Sequence, residues 1–306
     1  MSAADSHGIL IVDKPGGCTS HDVAARVRRL AGQRRVGHAG TLDPMASGVL
    51  VVLLGQATRL SEYLLRHDKA YTAEVRLGQT TDTDDAEGQI IASSTEPLPA
   101  REQVEAALAG LRGEIQQTPP IYAAIKIQGQ PAYRRARRGE VLALPARTVT
   151  IHRLTLVAWE PPCLTLDVAC SAGVYVRSLA RDLGQTLGCG AHLAGLRRTR
   201  SGPFGIEQAT PLDELLAQDA GRAWQRHLLP LDAGLPEMDA WRLTDEESRR
   251  LRWGQSIAGP TMQTPLARAY DEAGALLAIV ERDSESGLWH PKKVLTYTRD
   301  EDATDP

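Results

Sequence analysis

The sequence predicts an α+β fold, and three patterns in it carry that prediction. Residues 49–54 are a continuous apolar run between Gly48 and Gly55, the pattern of a buried central strand. Tyr71, Ala73, Val75 and Leu77 alternate with Thr72, Glu74 and Arg76, as a half-buried strand requires. Val176, Leu179, Ala180, Leu183 and Leu187 recur at the spacing of a helix packed on a sheet.

The remaining elements follow in order. Residues 8–13 (GILIVD) read as a short buried strand and 14–17 (KPGG) as a turn, with Thr19 or Ser20 as the N-cap of a helix. In that helix Val23, Val27, Leu30 and Ala31 form one stripe, which leaves the arginines on the other faces. A second helix runs through Leu60, Leu64 and Leu65. The acidic stretch 81–88 (TDTDDAEG) lacks the ligand and glycine order of a calcium loop and reads as a polar connection. Val104, Ala107, Leu108 and Leu111 mark an amphipathic helix stopped by Gly113.

Residues 119–145 read as an insertion: a short strand, a GQP turn, then the basic AYRRARRGE. Strands at 149–159 and 164–170 return to the sheet. A weaker stretch at 211–236 is a candidate boundary, dividing the chain into 1–235 and 236–306. Beyond it a short helix at 243–253 and strands at 267–270, 276–281 and 293–297 suggest a small β-barrel module with an acidic tail.

Composition sets limits on function. With 306 residues, 42% hydrophobic and 24% charged, the chain can bury a core without disulfides or metal, and its single Phe leaves that core to Leu, Val, Ile and Ala. Four scattered cysteines without a C-x-x-C pair read as free thiols in a reducing cytoplasm. Eight histidines without ligand spacing predict no metal site. No apolar stretch is long enough for a membrane span, and the N-terminus lacks the basic region of a signal peptide. Net charge is −3, but it is segregated. Arg26, Arg28, Arg29, Arg34 and Arg35 lie in an acid-free stretch. Lys126, Arg134, Arg135, Arg137 and Arg138 form a second, and Arg197, Arg198 and Arg200 a third. Such segments can present one positive face, as nucleic-acid binding requires, or simply be solvated helix faces.

The densest unusual segment is 37–48, GHAGTLDPMASG. Asp43 is the only acid between Asp22 and Glu62, so cationic neighbours are expected to keep it ionised. Pro44 biases it to an extended backbone that can aim the side chain outward. Read from the residues alone, Asp43 is either a functional carboxylate or the start of an Asp-Pro turn. Neither GxGxxG nor GxxxxGK[ST] occurs, so a nucleotide cofactor is not predicted.

Five segments in order, GILIVDKPGG, RVGHAGTLDPMASGVL, KAYTAEVRLGQTTDTDDAEG, CSAGVYVRSLARDLG and GCGAHLAGLRRTRSG, resemble the motif set of the TruB-type tRNA pseudouridine(55) synthase family and span residues 8–202. The resemblance implies a pseudouridine synthase fold, with a mixed, largely antiparallel sheet flanked by helices, and no cofactor. It implies a standalone, monomeric, cytoplasmic isomerase of uridine 55 in the tRNA T-arm, without an obligatory protein partner. By the same resemblance Asp43 takes the place of the catalytic nucleophile, Tyr71 of the catalytic tyrosine that stacks on the base and is positioned for proton transfer, and Arg177 of the arginine paired with the carboxylate. Tyr175 and Leu196 fall where the family contacts the uridine, His38 where a histidine fills the space of flipped-out bases, and Lys14 in the matching DKP motif. Met45 and Ser47 replace the usual Leu and Thr of that loop, both mild changes. The insertion resembles the family's thumb, with Arg134, Arg135, Arg137 and Arg138 expected on RNA together with Arg197 and Arg198. Residues 240–297 resemble a PUA-type RNA-binding barrel.

Two other functions compete. One is an RNA-binding or tRNA-chaperone protein with vestigial catalytic residues, which the intact Asp43, Tyr71 and Arg177 set opposes. The other is a glycan or nucleoside hydrolase, which would want a second carboxylate.

Overall fold

The computed structural model describes residues 5–122, 126–127, 130–131, 144–218 and 220–295. The first strand, β1 (Gly8–Lys14), pairs antiparallel with β3 (Ser47–Leu54), and the short β2 (Val36–His38) pairs with β3 as well. Between them α1 (Ser20–Ala31) starts at Thr19, which closes a capping box with Asp22, and ends at Gly32 in the left-handed region. Val23, Ala24, Val27 and Ala31 are its buried stripe.

The expected helix around Leu60 is a 3₁₀ turn at Gly55–Leu60 that continues into α2 (Ser61–Leu65). Then come β4 (Lys69–Leu77), the hairpin β5 (Gln79–Thr81) and β6 (Ile90–Ser93), α3 (Arg101–Ala109) and β7 (Gly113–Gln117). Helix α3 stops at Gly110, and Gly113, expected to end it, opens β7 at φ +80°. Of the insertion, the described residues are 119–122, 144–145 and the small pair β8 (Lys126–Ile127) and β9 (Gln130–Pro131). Arg134, Arg135, Arg137 and Arg138 lie outside the described residues.

Strands β10 (Arg147–Glu160) and β11 (Cys163–Cys170), helix α4 (Val176–Thr186), and β12 (Ala191–Ser201), β13 (Phe204–Gly205) and β14 (Thr210–Pro211) complete the main sheet. Its order is β14-β1-β3-β12-β4-β11-β10-β7, and off this path β2 pairs with β3 and β13 with β12. Only β1–β14 and β3–β12 are parallel among the described pairings of this sheet, so it is mixed and largely antiparallel.

The compositionally weak stretch after residue 211 is structured. Helix α5 (Leu212–Leu216) and a 3₁₀ helix at Ala220–His227 bury Leu212, Leu215 and Trp224 against α1 and β3 residues. The C-terminal region holds β15 (Asp239–Arg242), α6 (Asp245–Arg252), β16 (Leu266–Tyr270), β17 (Leu276–Arg282) and β18 (Trp289–Val294). These strands form a separate sheet, β15-β16-β17-β18, whose last strand starts earlier than expected. Its Leu276, Ile279 and Leu295 share one buried cluster with Ile9, Val51, Tyr63, Leu231 and Leu235 of the main body. No helix of the described residues is long and apolar enough to cross a membrane.

Candidate active site

Asp43 sits on a loop that is clamped from both sides. Gly40 and Gly48 take φ of +102° and +101°. A Cβ on Gly48 would come 2.2 Å from the Arg198 carbonyl oxygen, so only glycine lets β3 begin this close to β12. The Ser20 hydroxyl donates to the Leu42 carbonyl at 3.0 Å and accepts from the Leu42 N–H at 2.8 Å. Lys14, wholly buried, donates through Nζ to the carbonyls of Pro15, Cys18 and Pro44 at 2.9, 2.6 and 3.3 Å. Asp43 lies between these two fixed residues, with its side chain 31% exposed.

Arg177 meets it from the first turn of α4. The start of that helix is held by Gln117 of β7, which donates to the Tyr175 carbonyl at 3.1 Å and accepts from the Tyr175 N–H at 2.8 Å. Arg177 Nη2 donates to Asp43 Oδ1 at 3.2 Å, and Nε lies 3.0 Å from Oδ2. Nη1 lies 3.3 Å from Asp85 Oδ2 and donates to the Thr83 carbonyl, and Nη2 also donates to the Tyr122 carbonyl.

The stretch 81–88 is therefore part of the site rather than a passive connection. Asp85 is buried, accepting from the Thr83 hydroxyl at 2.6 Å and the Glu87 N–H at 3.1 Å. Asp84, at φ +62°, pairs with Arg181 one turn along α4 at 2.9 Å.

Burial pushes the Asp43 carboxyl above the usual carboxylate range; Arg177 opposes that shift and Asp85 adds to it. Cationic neighbours are expected from the sequence to keep it ionised; Arg177 and Lys14 act in that sense, but burial first, and then Asp85 folded against the same arginine, act against it. Burial also raises the phenols of Tyr71 and Tyr175, so both stay neutral near pH 7.

One cavity of about 280 Å³ gathers Asp43, Tyr71, Tyr175, Arg177 and Leu196 on its walls. Two tyrosines and a leucine offer apolar faces to a planar ring. The carboxylate at the edge can reach an electron-poor carbon of whatever that ring carries. A larger cavity, about 640 Å³, lies over α6 among Arg249, Arg252, Trp253 and three acids, and it holds none of these residues.

Other expected site residues are placed differently. Lys14 does not line the cavity; it is a strut beneath the loop. His38 ends β2 half-buried, away from the cavity walls, with no hydrogen-bond partner for Nδ1 among the described residues; burial and Arg198 hold its pKa down. Arg198, expected on an RNA-facing surface, is 1% exposed. It donates to the carbonyls of Val49, Thr41 and Gly40. Residues alternate faces along a strand, so its neighbour Arg197 points the other way and pairs with Asp13 at 2.7 Å. Sequence reasoning missed Asp85, whose only signal was its place in a motif segment quoted for other residues.

The description TruB family pseudouridylate synthase (N terminal domain) matches residues 28–176, and tRNA pseudouridylate synthase B C-terminal domain matches 177–236. A tRNA pseudouridine synthase B of Thermobifida fusca is 48% identical over 288 residues, covering 91% of this chain and 96% of that protein. One from Pseudomonas aeruginosa is 43% identical over 292 residues, covering 94% and 95%. Among solved structures, a chain of an H/ACA RNP bound to a substrate RNA containing 2′-deoxyuridine superposes with a TM-score of 0.71 at 25% identity, over 95% of this chain and 86% of that one. A chain of a Cbf5-Nop10-Gar1 complex gives 0.72 at 25%, over 95% and 85%.

Proposed function

The chain belongs to the TruB family of pseudouridylate synthases, and from that premise we propose that it isomerises uridine 55 in the T-loop of tRNA, with Asp43 as the nucleophile. It is an isomerase acting on tRNA. The single observation that carries the assignment of Asp43 is its two-contact pairing with Arg177, at 3.0 and 3.2 Å, on the wall of a cavity shared with Tyr71, Tyr175 and Leu196.

A uridine in a folded T-arm hides both C1′ and C5, so it must be extruded and held on an aromatic face. Tyr71 and Tyr175 provide that holding surface. The N1–C1′ bond breaks as the Asp43 carboxylate bonds to C1′. The freed uracil turns within the cavity, and its C5 displaces the carboxylate from C1′. The C5 proton leaves and N1 gains one, so atoms and electrons balance without an outside reactant. Arg177 orients the carboxylate before the attack and stabilises it when it is released.

The chain divides in this reading into a catalytic domain at 1–235 and a PUA-like RNA-binding domain at 236–306. The insertion at 119–145 acts as a thumb on the RNA loop. The protein works in the cytoplasm as a monomer without a cofactor. Incubating it with unmodified tRNA in the presence of chelator, then mapping pseudouridine, tests this. A single modified T-loop position is expected, and no modification, or modification elsewhere only, overturns it.

A further inference from the structure

Among the described residues, two cations of the catalytic cavity have no carboxylate partner. Lys69 opens β4 two residues before Tyr71, so both side chains leave the strand on the same face. It is 7% exposed, and its Nζ donates to the Leu65 carbonyl at 2.7 Å and to the His67 carbonyl. Arg198 faces Tyr71 across the β4–β12 ladder, and its bonds run to backbone carbonyls and to the Tyr71 phenol. The two meet beside Gly40, where an added Cβ would lie 3.6 Å from Arg198 Nη1 and 4.0 Å from Lys69 Cε.

Among the described residues neither has a carboxylate within ion-pair distance, whereas Arg177 has two and Arg197 has Asp13. Asp68, the acid next to Lys69 in the chain, is paired with His152 at 3.0 Å. Both cations line the cavity that holds Asp43 and Tyr71.

Buried charge without a counterion is unfavourable, and carbonyl dipoles offset only part of that cost. Burial, then Arg198, pushes the Lys69 ammonium down to about 8, as expected of a cation waiting for an anion. The substrate brings anions with it, because every RNA linkage carries a phosphate.

We propose that Lys69 and Arg198 form an anion subsite that receives a phosphodiester flanking the extruded nucleotide. The proposal rests on the isomerase reading above. It assigns the two residues to substrate docking: the phosphate anchors the turned-out strand on the cavity floor while Asp43 acts on the sugar. Arg198 is already fixed by three carbonyls and is pre-organised for this role; Lys69 has the shorter reach and the weaker hold on its charge.

The test uses unmodified T-arm hairpins in which one phosphate is replaced by a neutral methylphosphonate, either 5′ or 3′ of the target uridine or at a control stem position. Affinity and turnover are measured for the wild type, Lys69→Met and Lys69→Arg. The wild type is expected to lose about tenfold in affinity with the neutral linkage at one flanking position and little at the control. Lys69→Met should bind the all-phosphate hairpin about tenfold more weakly and lose clearly less than the wild type with the neutral linkage, because Arg198 still holds the phosphate, while Lys69→Arg restores full sensitivity. Indifference of the wild type at both flanking positions, or an undiminished penalty in Lys69→Met, overturns the subsite. If Lys69→Met does not fold, as judged by its thermal melt, the wild-type series alone decides. Failure of the wild type to isomerise the all-phosphate hairpin strikes the isomerase reading itself. Isomerisation indifferent to the neutral linkages strikes only the subsite.

Discussion

The catalytic cleft and the seam beneath the C-terminal sheet both hold charge, but they balance it differently. At the seam Asp232 takes Arg268 at 3.2 Å and accepts a hydrogen bond from the Tyr270 hydroxyl, so one acid meets one cation and one neutral donor. Around it Tyr63, Leu231, Leu235, Leu276, Ile279 and Leu295 close an apolar contact. In the cleft, Arg177 is shared by two carboxylates while Lys69 and Arg198 have none among the described residues, and the set borders an open cavity. A self-neutralised group inside a closed core stabilises a junction. A group with acids and cations left unmatched beside a cavity is prepared for a ligand.

Breaking the cleft should have the largest effect. Asp43→Asn is expected to lower turnover more than about a hundredfold while leaving tRNA affinity within about tenfold, roughly 1.4 kcal/mol. Single-turnover kinetics alongside filter binding checks it, and retained turnover would move the chemistry away from this carboxylate.

Asp85→Asn sharpens the comparison, since it leaves Arg177 to Asp43 alone. Turnover should fall about tenfold to a hundredfold through lost positioning. The sign of the accompanying pH shift follows from electrostatics. Asp85 raises the pKa of Asp43, so removing its charge lowers that pKa. The reaction needs the ionised carboxylate, and the acid limb of the rate profile should therefore move to lower pH. An unmoved limb would mean that the two acids are not coupled through Arg177.

At the seam the change should appear in stability instead. Ile279→Ala removes a fully buried side chain from the shared cluster and should cost about 2–5 kcal/mol, read by denaturant unfolding. Activity on a T-arm hairpin well below the melting temperature should persist. By the same contact, cutting the chain after residue 236 should leave a main body that folds but melts earlier, because Tyr63, Leu231 and Leu235 lose their cover.

The smallest effect is expected at the rim of the seam. Lys293 and Glu62 pair at 2.7 Å with side chains 32% and 42% exposed, so solvent screens them. Glu62→Gln should change stability by no more than about 1 kcal/mol, and less at high salt. A larger loss would mean that the sheet is docked by charge as well as by its apolar face.

The sequence by itself determined the strands and helices whose pattern is local. The run in β3, the alternation in β4 and the stripe of α4 are read from neighbours two to four residues apart, and each was legible as such. Asp43, Tyr71, Arg177, Tyr175 and Leu196 were legible because they sit in ordered motif segments, and they do converge on one cavity. What only the tertiary structure decided is which charges meet. Arg197 and Arg198 look equivalent in the chain, yet strand alternation sends one to Asp13 and buries the other beside Lys69. Asp85 looked like one acid among several in a polar stretch, until the fold carried that stretch across α4 to Arg177. The helix end at Gly110 and the shared core under the C-terminal sheet were hidden for the same reason. Burial and ion pairing depend on contacts between distant segments, and the spacing of residues along a chain does not record them.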